Sequence, residues 1–311
     1  MRNKFAEVFY NLIKKNKNIR LVAADISPSG KLAELSKKYP KKFINVGVAE
    51  SSMISMCAGL AMRGLKPFAY TIASFALFRP FEMVRIDIGY QNLPVVIVGM
   101  GAGTVYNNLG GTHLTQEDVS VVRCLPNFNV LNPCDPLELE ECLKYLVNKN
   151  NSPCYLRIGK SGEKNFSHNS VDKWMFNQPR TILRGKSDIC LIATGPIIKL
   201  FFKIKKNLIR KNIDPTIISH HTLKPDNDKA LEKIFGKFSN IITLEDISEI
   251  NGLSSIYKIK AYEKGYNGNI LSFSLKDKNI KNYGSQDDLL KDHGISENKI
   301  YAGILRLLNK K

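Results

Sequence analysis

Apolar runs at 21–24, 43–48, 68–71, 95–98, 129–131 and 155–158 are separated by amphipathic stretches at 4–16, 51–63, 81–90, 115–124 and 136–148. A chain that alternates strand and helix in this way has few folds open to it. Each return passes through a helix, so successive strands run parallel, and helices must cover both faces of the sheet. The expected class is α/β, with ligands bound at the carboxyl ends of the strands.

From 160 to 186 the pattern loosens into KSGEKNFSHNSVDKWMFNQPRTILRGK, which is polar and carries Gly and Pro. A stretch of this kind reads as a boundary. Alternation then resumes, with strands expected at 189–193, 216–219, 241–244 and 270–274 and helices at 197–210, 228–235, 253–262, 286–291 and 296–308. A length of 311 residues accommodates two ordinary domains. The expectation is therefore two three-layer α/β/α domains, 1–165 and 187–311, joined by a linker at 166–186.

Composition narrows the function classes. Hydrophobic residues make up 43% and charged residues 24%, a globular balance. No apolar run reaches membrane-spanning length, and the amphipathic start carries charges throughout, unlike a signal peptide. A cytoplasmic protein with no membrane role is expected. The net charge is +18. Its lysines are spread over expected helix faces and no nucleic-acid module is present, so attraction to phosphorylated metabolites is expected rather than nucleic-acid binding. The six cysteines, at 57, 124, 134, 142, 154 and 190, show no CxxC spacing and read as small buried hydrophobes.

One carboxylate stands out. In FINVGVAESSMISMCAGLAMRG, residues 43–64, Glu50 sits where an apolar strand turns into an apolar helix. One reading is a first-turn acid that complements the helix dipole. The other is an acid/base group whose proton affinity is raised by apolar surroundings. Downstream, SFALFRPFEMVRIDIGYQNLP spaces Phe75, Phe78 and Phe81 three residues apart, beside Arg79 and Arg85. That spacing serves either a core-facing stripe or an aromatic wall for a flat heteroaromatic ligand.

The order of motifs resembles the C-terminal half of transketolases, thiamine-diphosphate enzymes, in the version split into two polypeptides. The resemblance covers essentially the whole chain. It rests on AADISPSG at 23–30, NVGVAESSMISMCAGLAMRG at 45–64, SFALFRPFEMVR at 74–85, GGTHLTQEDVSVVRCLPNFNVLNPCD at 110–135, YLRIGK at 155–160, IATG at 192–195 and HTLKP at 221–225. It implies a thiamine-diphosphate pyrimidine-binding domain followed by a transketolase C-terminal domain. It also implies transfer of a two-carbon ketol unit between sugar phosphates. Glu50 then matches the carboxylate that bonds the cofactor's aminopyrimidine. Phe75, Phe78 and Phe81 match the rings that stack on it, and Asp25 matches a residue near the thiamine across the subunit interface. His113 matches a histidine that contacts substrate oxygens. Ser29 and Arg157 match a substrate-phosphate clamp; read locally, Asp25 and Ser29 equally suit a plain turn, and Arg157 a surface arginine. His220, His221, Glu245 and Asp246 end expected strands of the second half and are read as structural.

Two departures qualify the resemblance. Gly101 and Leu109, in GMGAGTVYNNLGGTH, stand where the family has a second active-site histidine and an acid that binds a donor hydroxyl. A different sugar is implied, with Tyr106, Asn107 and Asn108 as substitute polar groups. The family's GDG…N motif, which holds the diphosphate through Mg2+ or Ca2+, does not occur in this sequence. An N-terminal partner subunit carrying that motif, an α2β2 assembly and no metal ligands in this chain are therefore expected. The alternatives are a 1-deoxyxylulose-5-phosphate synthase-like or specialised sugar-pathway enzyme and, in another class, a basic binding protein on the same fold.

Overall fold

The computed structural model describes residues 1–26, 28 and 30–309, without the side chain of Asn309. Its first sheet has seven strands: β1 (Ile19–Ala23), β2 (Phe43–Asn45), β3 (Lys66–Ile72), β4 (Val96–Met100), β5 (Asn129–Leu131), β6 (Cys154–Ile158) and β10 (Thr222–Lys224). Their order is β10-β5-β6-β4-β3-β1-β2. The six from the first half pair parallel, as the alternation requires. The second sheet is built from β7 (Arg180–Leu183), β8 (Ile189–Ala193), β9 (Thr216–Ser219), β11 (Asn240–Ser248) and β12 (Asn269–Leu275), in the order β12-β11-β8-β9-β7. Here β8, β9, β11 and β12 are parallel and β7 is an antiparallel edge on β9.

Helices pack on both faces. Helix α1 (Arg2–Lys15) buries Phe5, Phe9 and Ile13 at helical spacing, and the Phe5 ring stacks on Tyr70 of β3 at 5.0 Å. Helix α3 (Glu50–Met62) buries Met53, Ile54, Cys57, Ala58 and Ala61. Helix α7 (Pro136–Asn148) is started by Asp135, whose carboxylate accepts from the N–H of Glu138. Helix α8 (Lys199–Ile209) follows β8, α9 (Asp228–Phe235) follows β10 and α10 (Leu253–Glu263) follows β11. After β12 come α11 (Gln286–Asp292) and α12 (Glu297–Asn309). Among the described residues no helix is long and apolar enough to cross a membrane. Five of the cysteines are buried free thiols and Cys124 is exposed.

Several elements differ from the sequence reading. The expected helix 81–90 begins as a single α-turn, α5 (Phe81–Met83), and continues as a π-helix, Val84–Tyr90. The helix expected at 115–124 is shortened to α6 (Asp118–Cys124), because Thr115 is held outside it by accepting from Gly103 N–H at 2.8 Å. The polar stretch 160–186 contains β7. The sequence pattern does not anticipate helix α2 (Lys31–Lys38) or the short α4 (Ala73–Leu77). Nor does it anticipate β10, which leaves the second half to pair antiparallel with β5.

That crossing strand is one of several ties between the halves. The most deeply buried is ionic. Arg157 on β6 donates from Nε to Asp118 Oδ2 at 2.8 Å and from Nη1 to Asp246 Oδ1 of β11 at 2.8 Å. Its Nη2 also donates to the Asp246 carbonyl at 3.1 Å. Arg157 is 2% exposed and Asp118 0%. Burial opposes charge on Arg157, but Asp118 and Asp246 outweigh it and hold the guanidinium firmly protonated. His220, also buried, has its imidazole pushed down to about 3, chiefly by burial and then by neighbouring His221.

This packing sets the expected costs of substitution. Arg157→Ala leaves two buried carboxylates without their cation and is expected to cost about 3–5 kcal/mol in urea denaturation. Lys144→Ala, on an exposed pair with Glu140 and Glu141, is expected to cost about 0.5 kcal/mol or less. A depressed histidine binds fewer protons folded than unfolded, so stability should fall as pH drops from about 6.5 towards 3. His220→Gln should flatten that slope in denaturation measured across this range.

Candidate functional site

Strand order fixes where a ligand can enter the first sheet. The chain passes from β1 to β2 on one side and then to β3 on the other, so the connections after β1 and β3 diverge and leave a crevice at their carboxyl ends. Glu50 opens α3 at this edge. Gly47, at φ +73, makes the turn out of β2 in a conformation that favours glycine. Glu50 is 4% exposed, and Arg79 donates to its Oε1 at 3.0 Å. No other described residue bonds the carboxylate.

The rest of the site extends from that ion pair. The Arg79 guanidinium lies over the Phe75 ring, 4.3 Å from its centroid. Phe75 meets the His113 ring edge-on at 5.0 Å, and Tyr106 also meets His113 edge-on, at 6.0 Å. Lys160 lies 5.0 Å over Tyr106. The Thr112 hydroxyl is 2.9 Å from His113 Nδ1. Beside these groups opens a cavity of about 570 Å³, lined by Phe75, Phe78, Arg79 and Thr112 from the first half and by Asn279 and Ile280 from the second.

The structure thus brings Glu50, Phe75, Phe78 and His113 to one edge. Phe81 is elsewhere: it does not line the cavity but packs on the core. No ring contact joins Phe75, Phe78 and Phe81 to one another among the described residues, because α4 ends between Phe75 and Phe78 and a turn through Pro80 breaks the helical register. Asp25 is exposed at the end of β1 with φ +51, its N–H bonded to the Gly47 carbonyl at 3.0 Å, beside the turn into Glu50. Ser29 lies outside the described residues. Arg157 is corrected by its geometry: an arginine with all three nitrogens engaged by Asp118 and Asp246 is an internal cross-link, not an open phosphate ligand. His220 is buried against the Tyr257 hydroxyl at 3.0 Å, and Glu245 accepts the backbone N–H groups that open α10, consistent with structural roles. No group of three or more His, Cys, Asp or Glu able to hold a metal occurs among the described residues.

The loop 101–113 explains its own unusual sequence. Gly101 has φ +68, and a Cβ there would lie 2.0 Å from the Tyr106 ring. Tyr106 fills that space, donates to Met100 sulfur at 2.9 Å and backs His113. A histidine at 101 is sterically excluded by this tyrosine. Leu109 is 50% exposed, and Asn107 is bonded to Asn108 and to the Gly284 carbonyl of the second half. The sequence reading does not pair Arg79 with Glu50, although a buried acid demands a counter-charge and Arg79 lies in the adjacent motif. Nothing local in the sequence announces Asn279 or Ile280.

Gly101→Ala should therefore destabilise the chain by about 1–3 kcal/mol, from overpacking and positive-φ strain. Tyr106→Ala should relieve part of that cost. A double-mutant cycle read by urea denaturation measures the coupling, and additive effects would contradict the packing explanation.

Comparison with known proteins yields consistent matches. The family profile described as Transketolase, pyrimidine binding domain matches residues 1–162, and the one described as Transketolase, C-terminal domain matches residues 180–300. The chain is 28% identical to a subunit of the apulose-4-phosphate transketolase of Phocaeicola vulgatus, covering 99% of this chain and 97% of that protein. It is 31% identical to the 1-deoxy-D-xylulose-5-phosphate synthase of Clostridium beijerinckii over 97% of this chain, but spans only 48% of that enzyme. A solved structure described as a split gene transketolase, inactive beta4 tetramer, superposes with a TM-score of 0.86 at 27% identity, covering 99% of this chain and 97% of that one.

Proposed function

The chain belongs to the transketolase family, and from that premise we propose that it is the C-terminal subunit of a two-chain, thiamine-diphosphate-dependent transketolase that moves a two-carbon ketol unit between sugar phosphates. The observation that carries this reading is the buried Glu50 carboxylate at the strand edge, with one oxygen held by Arg79 and the other unbonded among the described residues, beside a cavity faced by Phe75 and Phe78. Full-length coverage of the apulose-4-phosphate transketolase subunit favours it over the synthase, of which the chain spans 48%.

The residues present fit the pyrimidine half of the cofactor. Glu50 would hold the aminopyrimidine ring nitrogen through its unbonded oxygen, and Arg79 fixes the carboxylate's orientation. Phe75 and Phe78 would stack on the ring and exclude water from it. His113, held by Thr112 and in edge-on contact with Phe75 and with Tyr106, would hold a substrate oxygen. When bound, thiamine diphosphate supplies the nucleophilic carbon of the transfer. Its diphosphate, with Mg2+ or Ca2+, is assigned to a partner subunit carrying the GDG…N motif. Exposed Val48 and Phe78 support such a partner, because they leave apolar surface at the Glu50 edge that calls for cover. An α2β2 assembly satisfies both needs. Leu109 and the absence of a histidine at 101 favour a sugar phosphate lacking the hydroxyl that the family's acid binds.

Glu50→Gln in the reconstituted two-chain complex should lower turnover by about 10²-fold or more while size-exclusion profiles stay unchanged. Near-wild-type turnover of that variant would overturn the role of Glu50. Turnover by this chain alone at the rate of the complex would overturn the half-site assignment.

A further inference from the structure

The cavity beside Glu50 is not made by the first half alone. Asn279 and Ile280, which line it, lie between β12 and α11 of the second half. Residues 276–285 form no helix or strand, yet the stretch is tied down on both sides of Asn279. Before it, Lys276 pairs with Glu249 at 2.9 Å and Lys278 donates to the Asp292 carbonyl at 2.6 Å. After it, Asn282 donates to Asp292 Oδ2 at 2.7 Å. The stretch then docks on the loop 101–113. Asn107 donates to the Gly284 carbonyl, and Gln286 Nε2 donates to Thr104 Oγ1 at 3.2 Å. Tyr283 lies against Gly110, where a Cβ would fall 2.8 Å from the tyrosine oxygen. The Gly110 carbonyl in turn accepts from His113 N–H at 3.0 Å. A segment anchored in this way holds Asn279 at the cavity with little conformational freedom left to lose on binding.

The polar groups that the sequence offers in place of the family's acid are elsewhere. Tyr106, Asn107 and Asn108 do not line this cavity, and neither does Leu109. The Tyr106 hydroxyl is spent on Met100 sulfur, and the Asn107 amide on Asn108 and Gly284. Of the polar side chains that do line it, Arg79 is engaged by Glu50, Thr112 by His113 and Glu117 by the Gln116 N–H. Ser74, Gln116 and Asn279 are left with no side-chain hydrogen bond to another described residue. Asn279 alone of these comes from the second half, and it is exposed.

We propose that Asn279 is a specificity-determining residue of the site, whose neutral amide bonds a hydroxyl of the sugar phosphate. This inference rests on the function proposed above. There Glu50, Arg79, Phe75 and Phe78 make the wall assigned to the cofactor. Asn279 stands on the wall contributed by the other half, where it meets the sugar that reacts with the cofactor. An amide both donates and accepts, as a hydroxyl does. It carries no charge, so it does not repel a phosphate as an acid would. It also reaches the cavity from a different segment than Leu109. The hydroxyl it reads is therefore a different one from that bound by the family's acid, in keeping with a sugar that lacks the latter. The second half thus takes part in substrate choice, and the docking of its segment on the loop that carries His113 holds the two sugar contacts in register.

Isothermal titration of the reconstituted two-chain complex, loaded with thiamine diphosphate, tests this with ribose 5-phosphate and separately with inorganic phosphate. Without a ketol donor the aldose phosphate is not consumed, so the titration reads equilibrium binding. Asn279→Ala should weaken ribose 5-phosphate by about fivefold or more, the loss of one hydrogen bond. It should leave the affinities for inorganic phosphate and for thiamine diphosphate unchanged, which a general disturbance of the site would not. Because Asn279 is exposed, the substitution leaves the fold intact. Three results would overturn the proposal: no binding of ribose 5-phosphate to the wild-type complex at about millimolar concentration, unchanged affinity in Asn279→Ala, or inorganic phosphate weakened as much as the sugar phosphate. Turnover that survives Glu50→Gln overturns the proposed function, whereas ribose 5-phosphate affinity that survives Asn279→Ala overturns this inference alone.

Discussion

The ionic bridge from Asp118 through Arg157 to Asp246 sets the relation of the two halves. Each component is unfavourable alone, because a charge removed from water without a partner costs several kcal/mol. Together the three groups join β6, α6 and β11. With that junction formed, β10 reaches β5. The segment around 279–285 is brought to the loop 101–113, where Asn107 bonds the Gly284 carbonyl. The cavity walled by Asn279 depends on this geometry.

Glu50 poses the opposite problem. Its carboxylate is as buried as those of the bridge, but its partner Arg79 is half exposed, so the compensation is incomplete. A carboxylate with one oxygen fixed and one unbonded by the described residues is well placed to accept from a ligand. The apolar residues left exposed near it point the same way. Val48 and Met56 beside α3 and Phe78 beyond α4 are surfaces suited to cover. Satisfying the acid and covering the face both call for groups from outside the chain.

Much of this is legible in the sequence wherever the cause is local. Strand–helix alternation points to the class because periodicity reflects burial directly. Glu50 stands out because an acid in an apolar run is costly, and Phe75 and Phe78 because their spacing is short. The rest depends on contacts distant in sequence. Arg157 reads as an ordinary arginine on a strand until Asp118 and Asp246, 39 and 89 residues away, are seen around it. Three-residue β10 carries no pattern long enough to detect. Phe81 is grouped with its neighbours by a helical register that Pro80 interrupts. Gly101 reads as a loss, whereas the structure makes it a requirement of the Tyr106 ring.

The charge imbalance gains a physical reading from the same placement. The net +18 counts every acid equally. Yet Asp118, Asp135, Glu138, Glu245, Asp246 and Glu50 are buried and direct their charge at internal cations, helix starts or strand-edge contacts. The lysines are mostly at the surface, so the field that a dissolved molecule meets is more one-sided in its geometry than the composition suggests. Lysines concentrated around a low-dielectric crevice focus that field and raise the local concentration of anions. A protein whose proposed substrates carry phosphate gains from this at every encounter.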